Sequence, residues 1–228
     1  MLTIKTYSKL NVIVFILCEQ NEKSHTTRFY NEIVDKLVLH HSKVNDNLYV
    51  GSCPRLIEHI EYMKNQLNIT AVVNLQVISD IENNCKQIIA HRQPQPLGTL
   101  KTVVIQDKAY DVSSVHELKL VYDQHQIIFT WLPTVDMSTI GRLLTFPQAV
   151  LVLKNLLVNK HRVYVHCNAG VGRAFGLVSA YYHIVQNIPL EKLQYQLVAI
   201  RSCGYFDPEC YKQAKITYNN AFPAETKK

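Results

Sequence analysis

Short β-branched and apolar runs alternate along this chain with longer stretches in which apolar side chains recur at helical spacing. Asn47–Gly51 reads as a strand that ends at a glycine. A helix opens at Cys53-Pro54-Arg55, with Pro54 in its first turn, and runs to about Leu67. Ile69–Leu75 has the unbroken apolar character of a buried parallel strand. Val77–Leu100 is polar and irregular, and it reads as a long loop with one short helix; Val103–Ile105 is either a short edge strand or part of that loop. Ser113–Gln124 predicts a helix capped by its serine, Gln126–Trp131 a strand, and Leu132–Arg142 a loop. Helices follow at Pro147–Asn159, Ala174–Gln186 and Pro189–Ile200, and a last one, capped by Asp207-Pro208, runs to about Asn220. Between the first two of these lies the strand Arg162–His166. Strands that alternate with helices predict an α/β fold: a central, mostly parallel sheet flanked by helices on both faces.

The helix after Arg173 is apolar on most sides, which predicts a buried central position. The loop before it, Cys167-Asn-Ala-Gly-Val-Gly-Arg173, therefore lies at the carboxyl end of a central strand, where open α/β sheets bind ligands. Backbone N–H groups from Asn168, Ala169, Gly170, Val171 and Gly172 to Arg173 can curl around one anion, with the positive end of the helix behind them. Gly170 and Gly172 are read as supplying backbone angles that a Cβ forbids. Arg173 offers a planar fork for two oxygens of a tetrahedral dianion. Cys167 sits beneath that anion, and the positive field is expected to pull its thiol well below the free value of about 8.5. Nucleophile, cradle and clamp together point to a phosphatase that forms a cysteinyl-phosphate intermediate. His166 is expected to orient Cys167 by bonding to nearby backbone.

Such a reaction needs a proton donor on a mobile loop of the same rim. Asp136, just after a predicted strand end, fits; Asp107, Asp111 and Asp207 read as turn or cap residues. No metal or other cofactor is needed, because the cradle and Arg173 neutralise the developing charge. His40 and His41 are adjacent, their side chains diverge, and they read as a solvated pair.

With 228 residues, 47% of them hydrophobic and 18% charged, the chain can bury one sizeable core and is not disordered. Its net charge of +6 suits an anionic substrate, but no Lys/Arg run forms a nucleic-acid arm. The apolar run Asn11–Cys18 is far short of the roughly 20 residues that span a bilayer, so no membrane association is expected. It reads as a strand or a loosely anchored tail; the alternative, a secretion leader, lacks a small-residue cleavage site at Glu19–Lys23. The six cysteines show no zinc spacing and read as free thiols in the cytoplasm, where one of them is available to protect Cys167 as a reversible disulfide.

His166-Cys-Asn-Ala-Gly-Val-Gly-Arg173 resembles the signature loop of the dual-specificity protein phosphatases, in the form carried by their laforin-like, glucan-directed branch. Gly51-Ser-Cys-Pro-Arg55, Ile69-Thr-Ala-Val-Val-Asn74, Pro133–Arg142 and Pro147-Gln-Ala-Val150 extend the resemblance over about 25–209. It implies the dual-specificity phosphatase fold over 45–220, with a tail at 221–228. It also implies Cys167 as nucleophile, Arg173 as clamp and Asp136 as acid. The implied substrates are phosphorylated, glycogen-like glucans, with phosphotyrosine and phosphoserine/threonine proteins beside them. The implied partners are an E3 ubiquitin ligase, glycogen-targeting proteins and a second copy of the chain in a homodimer. Two departures stand out. Residues 25–44 resemble the junction after a carbohydrate-binding module, but residues 1–24 do not resemble that module and have no assigned role; Trp131, Tyr205 and Phe206 are then the aromatic candidates for sugar stacking, with core packing as the alternative. Ala174 replaces the Ser or Thr that usually follows the loop arginine, which is expected to slow breakdown of the intermediate, although plant glucan phosphatases share it. The competing readings are a protein-directed phosphatase and a low-turnover phosphate-binding scaffold.

Overall fold

A computed structural model describes residues 30–91, 102–105 and 108–223. The readings placed on Met1–Ser24, Asp107 and the final tail lie outside the described residues, as does most of the junction-like stretch that begins at His25. The chain divides into two compact units, Met1–Val38 and Leu39–Lys228. Within the first, residues 30–35 are helical. The second holds everything that follows.

Five strands form its main sheet: β1 (His41–Asn45), β2 (Leu48–Gly51), β3 (Ala71–Asn74), β6 (Ile128–Trp131) and β7 (Val163–His166). Their order is β1-β2-β7-β3-β6, with β1 antiparallel to β2 and all other pairs parallel. β7 is central, as the apolar helix that follows it predicts. A separate antiparallel pair, β4 (Thr102–Ile105) and β5 (Lys108–Asp111), lies outside this sheet. Val103–Ile105, read as either an edge strand or loop, is a strand, and it pairs with a second strand that the pattern did not show.

The period-two alternation of strand side chains sorts the core into two layers. Leu48, Val50, Ala71, Val73, Val163 and Val165 face one way. They meet α5 (Thr139–Val158), α6 (Arg173–Ile184), α7 (Leu190–Ile200) and α8 (Pro208–Ala221) through Phe146, Leu153, Phe175, Leu177, Leu193 and Tyr211. Tyr49, Val72 and Tyr164 face the other way. There they meet α1 (Ile57–Asn65), α2 (Ile78–Asn84), α3 (Lys86–Ala90) and α4 (Ser113–Gln124) through Ile60, Met63, Ile81, Ile88 and Leu118.

Several boundaries differ from the sequence reading, each for a local reason. α1 starts at Ile57, with Leu56 as its cap residue, so Pro54 belongs to the extended segment after β2 and not to a first turn. The polar stretch after Val77 folds into two short helices, α2 and α3, each with a single buried residue, Ile81 or Ile88. α4 is not capped by Ser113; the Asp111 side chain accepts the Ser113 N–H at 2.8 Å instead. α5 begins at Thr139, eight residues before Pro147, with the Ser138 hydroxyl accepting from Gly141 N at 3.0 Å. Pro147 interrupts one bond of the ladder, and burial of Phe146, Pro147, Ala149, Val150 and Leu153 along the same face keeps the helix continuous. α5 is long and apolar enough by composition to cross a bilayer, but that face is part of the core. Asp207 caps α8 as expected, accepting from Cys210 N, with Pro208 in the first turn.

Candidate active site

The parallel register aligns the carboxyl ends of four strands. His166 stands opposite Gly51 on one side and Asn74 on the other, and Asn74 stands opposite Trp131. The segments that leave these positions, led by Cys167, Ser52, Leu75 and Leu132, consequently converge above one rim. This convergence brings Cys167, Arg173 and Asp136 together, as the sequence requires.

The loop between β7 and α6 is held from outside by its carbonyls. Asn168 O accepts from Cys53 N (3.0 Å), and Val171 O accepts from Tyr205 N (2.9 Å). Ala169 O and Gly170 O accept from Arg201 Nη2 and Nε, both at 2.8 Å. Gly172 O accepts from Gly176 N at 2.8 Å. In a planar trans peptide the N–H points opposite to the preceding carbonyl. Five successive carbonyls bound outward therefore turn the N–H groups of Ala169, Gly170, Val171, Gly172 and Arg173 inward. Among the described residues the Gly170 N–H has one partner, the Cys167 sulfur at 3.3 Å. The other four donate to nothing, which is the condition of an anion nest.

Gly170 adopts φ +73°, and a Cβ there would lie 2.3 Å from Gly51 O. Its glycine is thus required twice, by angle and by space. Gly172 differs from expectation: its φ is −96°, and a Cβ would meet nothing within 4 Å. No forbidden angle demands glycine there; the open space lies where an anion approaches the loop.

Arg173 is fully buried. Its Nη1 donates to Leu75 O (3.3 Å), Thr134 O (3.1 Å) and Asp80 Oδ2 (2.7 Å). Nε lies 3.1 Å from Asp136 Oδ1. Among the described residues Nε and Nη2 make no hydrogen bond, so apart from the Asp136 ion pair one edge of the guanidinium is buried and unsatisfied. Burial works against the Arg173 charge, and Cys167, Asp80 and Asp136 outweigh it, so its pKa is raised further. Asp136 is half-exposed, in the segment between β6 and α5, which two backbone bonds from Leu132 N and Thr134 N lay along the end of β3.

His166 is fully buried, with Nδ1 3.3 Å from Cys167 O. The contact is the kind that the expected orienting role would use. Burial lowers its pKa to about 4, so it is neutral near pH 7. His41 departs from the expected solvated pair. It is half-buried, its ring lies against Tyr49 and Tyr62, and burial lowers its pKa. Among the described residues, no group of three His, Cys, Asp or Glu side chains can hold a metal ion. The five described cysteines are free thiols. Burial pushes the Cys53 thiol up to about 12 and the Cys85 thiol well above its usual range.

Two residues of the site escaped sequence reasoning. Asp80 sits in a stretch read as loop, yet it contacts Arg173 and accepts from Asn168 Nδ2 at 2.9 Å. Arg201, just past α7, holds two loop carbonyls and reaches Ser42 Oγ. Of the three aromatic candidates, Trp131 is packed and donates to Gln76 O (2.7 Å), and Phe206 packs on Tyr211. Tyr205 is more than half exposed, with Arg142 over its ring at 5.4 Å.

No protein-family model matches the chain. It is 34% identical to laforin of Mus musculus over 229 aligned positions, covering 95% of this chain and 64% of laforin. It is 23% identical to the phosphoglucan phosphatase LSF1, chloroplastic, of Arabidopsis thaliana, covering 73% of this chain and 24% of that protein. The chain thus spans less than two thirds of the length of these curated relatives. Among solved structures it superposes on PTPMT1 with a TM-score of 0.56 at 18% identity, over 79% of this chain and 95% of that one. The fold is that of the dual-specificity and tyrosine phosphatases, carried here by a laforin-like sequence.

Proposed function

We propose that this chain is a cysteine-dependent phosphomonoester hydrolase acting on phosphorylated glucans, with phosphoproteins as further substrates. The observation that carries the chemistry is the inward-turned N–H cradle beside the unsatisfied Nε/Nη2 edge of Arg173. Together they match the equatorial oxygens of a phosphoryl group. The glucan assignment is supported by the likeness to laforin and by the phosphoglucan phosphatase among the relatives. Exposed Tyr205, bonded through its backbone to the cradle, offers a ring on which a sugar can stack.

In this reading, the Cys167 thiolate attacks phosphorus as the P–O bond to the sugar breaks, and Asp136 gives its proton to the departing oxygen. The Asp136 carboxylate then takes a proton from water, whose oxygen attacks the phosphocysteine, and the Cys167 thiolate departs. The sum is ester plus water to alcohol plus inorganic phosphate. Asp136 must first leave the Arg173 edge, and its half-exposed position permits this. The thiolate requires a reducing compartment, and a cytoplasmic location is the part of this reading that meets it. An E3 ubiquitin ligase, glycogen-targeting proteins and a second copy of the chain are the partners this reading carries.

Wild type and Cys167→Ser are compared on p-nitrophenyl phosphate and on phosphorylated amylopectin. Wild type is expected to release phosphate from both, and the serine variant from neither. Equal release by the two proteins refutes the cysteine mechanism. Release from phosphopeptides in strong preference to amylopectin refutes the glucan assignment.

A further inference from the structure

Arg173 carries two carboxylates, and they are not equivalent. Asp136 is half-exposed and touches the edge that an anion needs. Asp80 is only 19% exposed and touches Nη1, the nitrogen already committed to Leu75 O and Thr134 O. Among the described residues, every partner of the Asp80 carboxylate is a donor. Oδ2 accepts from Arg173 Nη1 (2.7 Å) and from Val77 N (3.3 Å), and Oδ1 accepts from Asn168 Nδ2 (2.9 Å). Asn168 is locked in turn, its Oδ1 accepting from Gln76 Nε2 (2.9 Å) and Asn84 Nδ2 (3.1 Å). The donors from Asn168 and Arg173 outweigh burial and hold the Asp80 pKa below its usual range.

We infer that Asp80 is a positioning residue that ties the first turn of the anion loop to its clamp, fixing the Arg173 plane so that Nε and Nη2 face the cradle. This rests on the phosphatase reading for its purpose, but its test does not require turnover. Only a carboxylate can serve. An amide of the same shape offers one acceptor and one donor, so Asn at 80 satisfies either Arg173 or Asn168 and confronts the other with a donor. Charge makes the opposite prediction. Removing a negative group beside the cradle by itself strengthens anion binding. A loss of binding in Asp80→Asn therefore reports lost aim.

Two measurements test this on the full chain. Tungstate, a tetrahedral oxyanion, is titrated calorimetrically into wild type, Asp80→Asn and Asp80→Ala. Both variants are expected to bind about tenfold more weakly or worse, the scale of cost that misplaced groups carry in such sites. Unchanged or tighter binding in Asp80→Asn overturns the inference. The second measurement is the ratio of iodoacetate to iodoacetamide alkylation of Cys167, read by mass spectrometry. The variants are first matched to wild type in folded fraction by circular dichroism, because an unfolded fraction would by itself lower the ratio. The anionic reagent depends on the cradle and clamp, and the ratio is expected to fall several-fold in both variants. A ratio equal to or above wild type overturns the inference. Wild type that binds tungstate yet hydrolyses no ester refutes the phosphatase reading and leaves the Asp80 comparison intact.

Discussion

His166 links this fold to pH more strongly than its position outside the chemistry suggests. It is fully buried beneath the loop, donates through Nδ1 to Cys167 O as the neutral tautomer, and leaves Nε2 without a partner among the described residues. A proton on Nε2 has nowhere to go but apolar core and the field of Arg173, which also opposes it. The folded pKa is about 4 against 6.5 for an ordinary histidine. The unfolded chain therefore takes up a proton between these values and the folded chain does not. Stability from this residue is fully present above pH 6.5 and is lost as pH falls towards 4. At about 1.4 kcal/mol per pH unit, the full loss is about 3 kcal/mol, most of it reached by pH 4.5. His166→Gln keeps an N–H for Cys167 O and cannot titrate, so it serves as the reference. Urea denaturation of both proteins at pH 7.5 and 4.5 isolates the effect, because other titrating groups are common to both. Wild type is expected to lose about 3 kcal/mol more than the variant over that interval, or about 10 °C in Tm for a domain of this size. A difference below about 1 kcal/mol refutes the assignment of a buried, neutral imidazole.

Two further outcomes follow from the loop and its surroundings. Gly170→Ala places a Cβ at φ +73° and 2.3 Å from Gly51 O, so it is expected to cost about 3 kcal/mol by thermal denaturation and to abolish p-nitrophenyl phosphate hydrolysis; retention of both melting point and activity refutes the geometry. Native labelling with iodoacetamide at pH 7 is expected to leave Cys53 and Cys85 unmodified, because burial holds both thiols protonated, and denaturant is expected to expose them; mass spectrometry of peptide adducts decides it.

What the sequence disclosed was local, and what it concealed was not. The β7–loop–α6 unit was legible because its signals lie within one stretch: an apolar run, a glycine that must be glycine, a cysteine and an arginine. Asp136 was legible because it follows a strand end, and parallel strands place all such ends on one rim. Asp80 and Arg201 act across 93 and 31 residues of chain, and nothing in their own neighbourhoods marks that reach. α2 and α3 bury one apolar residue each, too few to show a period. Pro54 and Pro147 misled in the same way. Each was read as the first turn of a helix, whereas one precedes its helix and the other is buried inside one.

The contact between Asp136 and Arg173 makes the resting site its own competitor. The acid is tethered at the edge where an anion must bind, so any visitor contends with a carboxylate of high local concentration, of millimolar order for short flexible tethers. A half-exposed pair of this kind holds weakly, by about 1 kcal/mol or less, so the barrier it sets is low. That is enough to sort ligands. A free monocarboxylate offers Arg173 nothing that Asp136 does not already supply, and gains little by exchange. A phosphate ester brings further oxygens for the N–H groups that Asp136 leaves unfilled. Selectivity against the carboxylates of the surrounding solution is therefore present before any substrate arrives, and the residue that enforces it is the one the proposed mechanism employs as acid.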